Sequence, residues 1–216
     1  ANGIMLPAGY TSRVVAVTGK TPLSDGDYVW HAEPDGGATY AAPDGGWIYV
    51  SNSEVPAAGG GVGALRFNSR GDLVDAYSIL SGSSSNCAGG KTPWHTWLSC
   101  EEMDRGLVFE CDPFGEKRAE VRPALGAFRH EAVAVDTVHD HLYLTEDEPD
   151  GCFYRFRPSK PLPDLSSGTL EVAQVIEKQG KRSVVWHKVG DPLATSTLTR
   201  KQVGSATSFN GGEGIG

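Results

Sequence analysis

Three five-residue segments recur along this chain in one pattern: an apolar residue, a hydroxyl residue, a polar residue, any residue, then glutamate. They are Val50-Ser51-Asn52-Ser53-Glu54, Leu98-Ser99-Cys100-Glu101-Glu102 and Leu144-Thr145-Glu146-Asp147-Glu148. Their glutamates stand at 54, 102 and 148, intervals of 48 and 46 residues. A second series follows each: Gly63-Ala64-Leu65-Arg66-Phe67, Gly106-Leu107-Val108-Phe109-Glu110-Cys111 and Gly151-Cys152-Phe153-Tyr154-Arg155-Phe156. Aligned at positions 67, 111 and 156, these lie 44 and 45 residues apart. Strand-rich units of about 40–50 residues cannot bury their faces alone and must stack on their neighbours. Four-stranded sheets arranged around an axis are the architecture of that period. The expectation is therefore an all-β chain, residues 1–216 forming a single β-propeller domain of four-stranded blades, about four of them.

The best-defined copy gives the blade in draft. His130–Val135 is its inner strand, residues 136–140 turn, and His141–Thr145 returns. Gly151–Arg157 makes the third strand, and Leu170–Ile176 the outer fourth after a Pro-rich loop. Alternation and punctuation by Gly, Pro and Asp support strands throughout. The 28 Gly and 13 Pro fit a chain that reverses often. No helix is expected beyond a weak candidate near Leu193–Gln202. At the edges, Ser12–Val17 reads as an outer strand and Ser208–Gly216 as the start of another inner strand. An open ring leaves unpaired strand edges, so a longer polypeptide or a second chain is expected to complete the propeller.

Composition narrows the partners. Apolar residues make up 39%, enough for a core, and the net charge of −8 argues against nucleic acid. No run of eighteen apolar residues suggests a membrane span. The cysteines at 87, 100, 111 and 152 follow no CxxC spacing, so a zinc knuckle is not expected. Cys100 and Cys111 flank a turn, as a disulfide or, preferably, as two core thiols.

Candidate chemistry collects around Asn86–Glu102, which holds two cysteines, two tryptophans and two adjacent carboxylates. In an antiparallel hairpin the start of one strand and the end of the next share an edge. Glu131 should then meet Glu146 and Asp147 at one rim. Cys87 and Cys100–Glu102 take those places in the preceding unit, Gly37 and Asn52–Glu54 in the one before. Glu213 takes the inner-strand place in the last. Radial repetition would point Cys87, Glu131 and Glu213 into one opening, where their charges require cations. Oxygen ligands suit calcium, and a thiolate among carboxylates suits iron or zinc. The plainer readings are a buried Cys87, turn-exposed Glu54, Glu102 and Glu148, and core Trp47, Trp94 and Trp97. His130 reads either as a general acid or base or as a hydrogen-bonded rim histidine.

Together these motifs resemble a known family. Asn86-Cys87-Ala88-Gly89-Gly90, Thr92-Pro93-Trp94, Thr96-Trp97-Leu98 and Cys100-Glu101-Glu102 resemble the hallmark segment of the PhoX-type alkaline phosphatases. His130-Glu131-Ala132-Val133-Ala134-Val135-Asp136, Tyr143–Asp147 and Gly151–Phe156 are similar to its next block, and the likeness runs from about Leu6 to Gly216. The resemblance implies a periplasmic or secreted propeller that holds iron and calcium and cleaves small phosphate esters. It implies Cys87 as the cysteine ligand of iron, Glu131 and Glu213 as carboxylate ligands, and Asn52 as a phosphate-contacting amide. The implied mechanism is in-line attack on a metal-held phosphate by a metal-activated oxygen nucleophile. Two places depart from the family pattern. Gly211 stands where Phe-x-Arg-x-Glu-Gly has arginine, and Asn52-Ser53-Glu54 replaces Asn-His-Glu. The sequence thus supports a metallophosphatase, with altered activity one form of it. The alternatives are a propeller hydrolase of another ester, such as a lactone, and a non-catalytic propeller stabilised by metal.

Overall fold

The computed structural model describes residues 2–216. Three antiparallel sheets follow one another along the chain, each a meander of sequential strands. The first holds β1 (Pro34–Ala41), β2 (Trp47–Ser53), β3 (Gly60–Phe67) and β4 (Leu73–Ser83). The second holds β5 (Asn86–Lys91), β6 (Trp97–Glu101), β7 (Val108–Cys111) and β8 (Glu120–Val121). The third holds β9 (His130–Asp136), β10 (His141–Glu146), β11 (Phe153–Pro158), β12 (Gly168–Lys178) and β13 (Lys181–Lys188). The all-β expectation and the four-strand unit are both present.

The fifth strand of the last sheet is an addition to the sequence reading. β12 and β13 join through Gln179 and Gly180, at φ of 53° and 72°, the paired positive φ of a tight two-residue hairpin. Lys and Arg crowd its start and most of its residues are exposed, so the apolar alternation that announces a strand is weak there.

The apolar faces of successive sheets pack on one another. Between the first two lie Tyr40, Ile48, Val50, Val62 and Ile79 against Trp97 and Cys111. Between the second and third lie Leu98, Cys100 and Val108 against Phe128, Val133, Leu144, Tyr154 and Phe156. Cys100, Cys111 and Cys152 are buried free thiols. Cys100 pairs with Val108 and Cys111 with Trp97, so the two cysteines are not cross-strand partners. They are core residues. Trp47 is not: it is 36% exposed and stacks on Phe67 at 5.2 Å.

The first strands of the three sheets lie side by side, with β5 between β1 and β9. A Cβ on Gly90 would fall 1.8 Å from the Val133 carbonyl oxygen, so β5 and β9 approach too closely for any side chain at that position.

Two edge expectations are corrected. Ser12–Val17 forms no strand; Val15 and Ala16 instead pack beside Trp30, Leu65 and Phe67 on the first sheet. Ser208–Gly216 forms no inner strand either. Phe209 makes one bridge to Gly151, and the N–H groups of Gly211 and Gly212 donate to the carbonyls of Glu148 and Glu146. The tail therefore runs along the end of β10, across the rim described next.

Candidate metal centre

Each sheet begins with the same irregularity. In β1 the register passes from Pro34 opposite Ser53 to Gly37 opposite Ser51. In β5 it passes from Asn86 opposite Glu101 to Gly89 opposite Ser99, and in β9 from His130 opposite Glu146 to Val133 opposite Leu144. Two residues of the first strand thus face one of the second, a β-bulge, which bends the strand and re-aims a side chain. The first bulged residues are Asp35, Cys87 and Glu131. Just beyond β2, β6 and β10, the N–H groups of Glu54, Glu102 and Asp147 donate to the carbonyls of Glu33, Ser85 and Arg129, at 2.9, 2.8 and 3.2 Å. Six side chains are so delivered to one end of three neighbouring sheets.

Five of these six form two overlapping ligand groups that share Cys87. In one, atoms of Asp35, Glu54 and Cys87 lie within 4.8 Å of one another; in the other, atoms of Cys87, Glu102 and Glu131 do. Cys87 and Glu131 are buried, Glu54 and Glu102 half-buried and Asp35 exposed. Asp35 was not a candidate from sequence. The sequence pattern puts Gly37 in its place, because counting back from a regular strand start misses the residue that the bulge inserts.

Other candidates are placed differently. Asn52 is fully buried, and its amide is saturated by the protein. Its Nδ2 donates to the carbonyls of Cys87 and Ala88 at 2.9 and 2.8 Å. Its Oδ1 accepts from Trp97 Nε1 at 2.8 Å and Ser99 Oγ at 2.9 Å. An amide has two donors and two acceptor positions, so none remains for a phosphate. Asn52 instead ties the first sheet to the bulge that carries Cys87. Glu146 is also fully buried. Its Oε2 accepts from the Cys152 N–H at 3.0 Å and Tyr154 Oη at 2.7 Å, and its Oε1 meets Arg200 at 3.1 Å. Glu101 does the same in the second sheet, accepting from the Leu107 N–H at 3.0 Å. Alternation is the reason: the last strand residue turns into its own sheet and the next turns to the rim. The pairing also makes Asp147, not Glu148, the counterpart of Glu54 and Glu102.

Asp147 and Glu213 lie close enough for their charges to act on Glu131, but neither belongs to a ligand group among the described residues. Thr145 Oγ1 donates to the Glu213 carbonyl at 2.8 Å, which anchors that residue's backbone. His130 is buried, bonded through Nε2 to the Gly126 carbonyl at 3.0 Å, with its ring 3.6 Å from that of Phe128 at a tilt of 32°. Burial pushes its pKa down to about 4. It is a neutral packing residue, without access to a reacting group.

The electrostatics of the rim follow from this crowding. Burial, reinforced by the charges of Glu102, Glu213 and Asp147 and opposed by a bond from Cys87, pushes Glu131 up to about 7. Burial and then the neighbouring Glu131 and Asp35 push the Cys87 thiol well above its ordinary range. Glu54 is raised by burial and by Glu102. A like-charged pair at 4 Å repels by about 4 kcal/mol at a protein-surface dielectric, against a whole-domain stability of about 5–15 kcal/mol. So many acids hold together only by taking up protons or cations. A thiolate with several carboxylates is a donor set suited to cations.

The fold and rim define a class: an all-β protein of stacked antiparallel sheets with a thiol-bearing cluster of acids where the first strands begin. The profile of the alkaline phosphatase PhoX family matches residues 48–106 and 103–215, and the chain belongs to that family. Its fold is similar to that of Pseudomonas fluorescens PhoX, solved in complex with vanadate, a transition state analogue, with a TM-score of 0.62 at 17% identity. The likeness covers 82% of this chain and 55% of that one, so this chain spans little more than half the solved relative. No curated protein sequence matches it.

Proposed function

We propose that the chain contributes the cation centre of a propeller-type metallophosphatase acting on small phosphate esters. The observation that carries the reading is the pair of ligand groups sharing Cys87. Cys87, Glu102 and Glu131 suit iron, and Asp35 and Glu54 suit calcium, with Asp147 and Glu213 adding negative charge nearby. Bound cations would supply charge neutralisation and Lewis acidity for phosphoryl transfer. The chain's own part is to hold those ligands: the bulges aim Asp35, Cys87 and Glu131, and Asn52 fixes the backbone around Cys87. Vanadate in the solved relative supports phosphoryl transfer at this fold. The adjacent first strands and the recurrent four-stranded unit support the propeller. Family membership supports a periplasmic or secreted setting, and no helix among the described residues is long and apolar enough to cross a membrane.

One feature favours altered activity or another ester. Gly211 lies at φ 69°, where an L side chain such as the family's arginine is strained. Metal analysis joined to turnover of an aryl phosphate and of a lactone tests the proposal. Iron with phosphate turnover is expected, and Cys87→Ala should lose the iron while staying folded. Metal with lactone turnover alone points to the other ester, metal without turnover to a scaffold, and unchanged iron in the variant removes Cys87 from the site.

A further inference from the structure

We infer that Arg129 is the phosphate-recognising cation of this rim, an inference that rests on the phosphatase reading above. Arg129 occupies the repeat position held by Glu33 and Ser85 in the other two sheets, since its carbonyl takes the Asp147 N–H as theirs take those of Glu54 and Glu102. The third sheet therefore places a guanidinium where the first places a carboxylate. Its backbone is fixed on both sides, by that bond and by entry into β9, two residues before Glu131.

The donors of Arg129 are only partly used. One terminal nitrogen meets Glu102 Oε1 at 2.5 Å, which sets the guanidinium beside a member of the ligand group. Its Nε is buried with no hydrogen-bond partner among the described residues; the carboxylate of Glu148 is 3.8 Å away, too far for a bond. The side chain is 36% exposed, so solutes reach it. With one terminal nitrogen on Glu102 and Nε unpartnered, the planar guanidinium keeps donor capacity for the oxygens of a phosphate. Arg200, the next guanidinium along the same ion-pair chain, cannot do this. It is 11% exposed, and its three nitrogens face Glu146, Glu148 and Asp150. Gly211, beside Asp147, offers no side chain at all. An anion entering this acidic rim is met by bound cations and by Arg129.

Calorimetric binding of orthophosphate to the metal-loaded protein, with metal content measured on the same samples, tests the assignment. Arg129→Gln should keep its metal and lose phosphate affinity tenfold or more, and Arg129→Lys should recover only part, having charge without the fork. Unchanged phosphate affinity in metal-loaded Arg129→Gln overturns the inference and leaves the phosphatase reading standing. So does loss of metal with unchanged affinity per loaded site, which would make Arg129 a support for Glu102. A wild-type protein that holds metal but binds no phosphate overturns both.

Discussion

His130 and Glu131 are consecutive and buried, and their titrations pull stability in opposite directions. Glu131 moves from an ordinary 4.5 to about 7. Its protonated form is favoured by folding, so its contribution is full below about pH 4.5 and is lost as pH rises to about 7. His130 moves from 6.5 to about 4. Here the neutral form is favoured, so the contribution is full above about pH 6.5 and is lost as pH falls to about 4. The two slopes offset one another across the same window. In metal-free protein, Glu131→Gln removes one of them. Urea midpoints at about pH 5 and about pH 6.5 should then rise with pH more steeply in the variant than in the wild type. Equal slopes would mean that Glu131 is not displaced from its ordinary pKa.

At the scale of the element, the first strands position the centre because they nearly touch. Gly90 makes this possible where β5 meets the Val133 carbonyl. Gly90→Ala is expected to cost about 3 kcal/mol or more, as overpacking does when backbone must move. It should also weaken cation binding, because β9 carries Glu131. Gly204→Ala, with open space around its Cβ, is the control and should leave both properties near wild type. Urea denaturation and metal content check the pair, and a Gly90 variant as stable as the control would rule out the close approach. The elements also show what was readable beforehand. The recurrence of Leu98–Glu102 against Val50–Glu54 located the second strands, but the third copy slipped by one residue. The slip made Glu148 the counterpart of Glu54 and Glu102, a place that Asp147 takes, and Glu146, expected at the rim as the end of its hairpin, closes the loop to β11 through Cys152.

For the whole molecule, three successive sheets present acids to a common place, where a bound cation would join them. A ligand that binds only the folded state at a hundredfold its Kd adds about 2.7 kcal/mol, and about 2–4 °C accompanies each kcal/mol in a protein this size. Calcium and iron should therefore raise Tm by roughly 5–10 °C over protein held in chelator. Differential scanning calorimetry measures this, and Cys87→Ala, with the shared ligand gone, should show a smaller shift. Identical Tm values with and without metal would mean that the rim holds no cation.

The sequence alone determined the repeat, the all-β class and the identity of Cys87, Glu54, Glu102 and Glu131 as candidates, because side-chain period and spacing are local properties of a strand. Which of those acids face the rim depended on tertiary structure. Asp35 joins them through a bulge, Glu146 leaves them through its bonds to Tyr154 and Arg200, and Asn52 spends its amide on the neighbouring sheet. The bulge inserts a residue that alters the strand count, Asn52 reaches partners 35 and 45 residues away, and Arg200 comes to Glu146 from 54 away; none of these leaves a mark in local pattern.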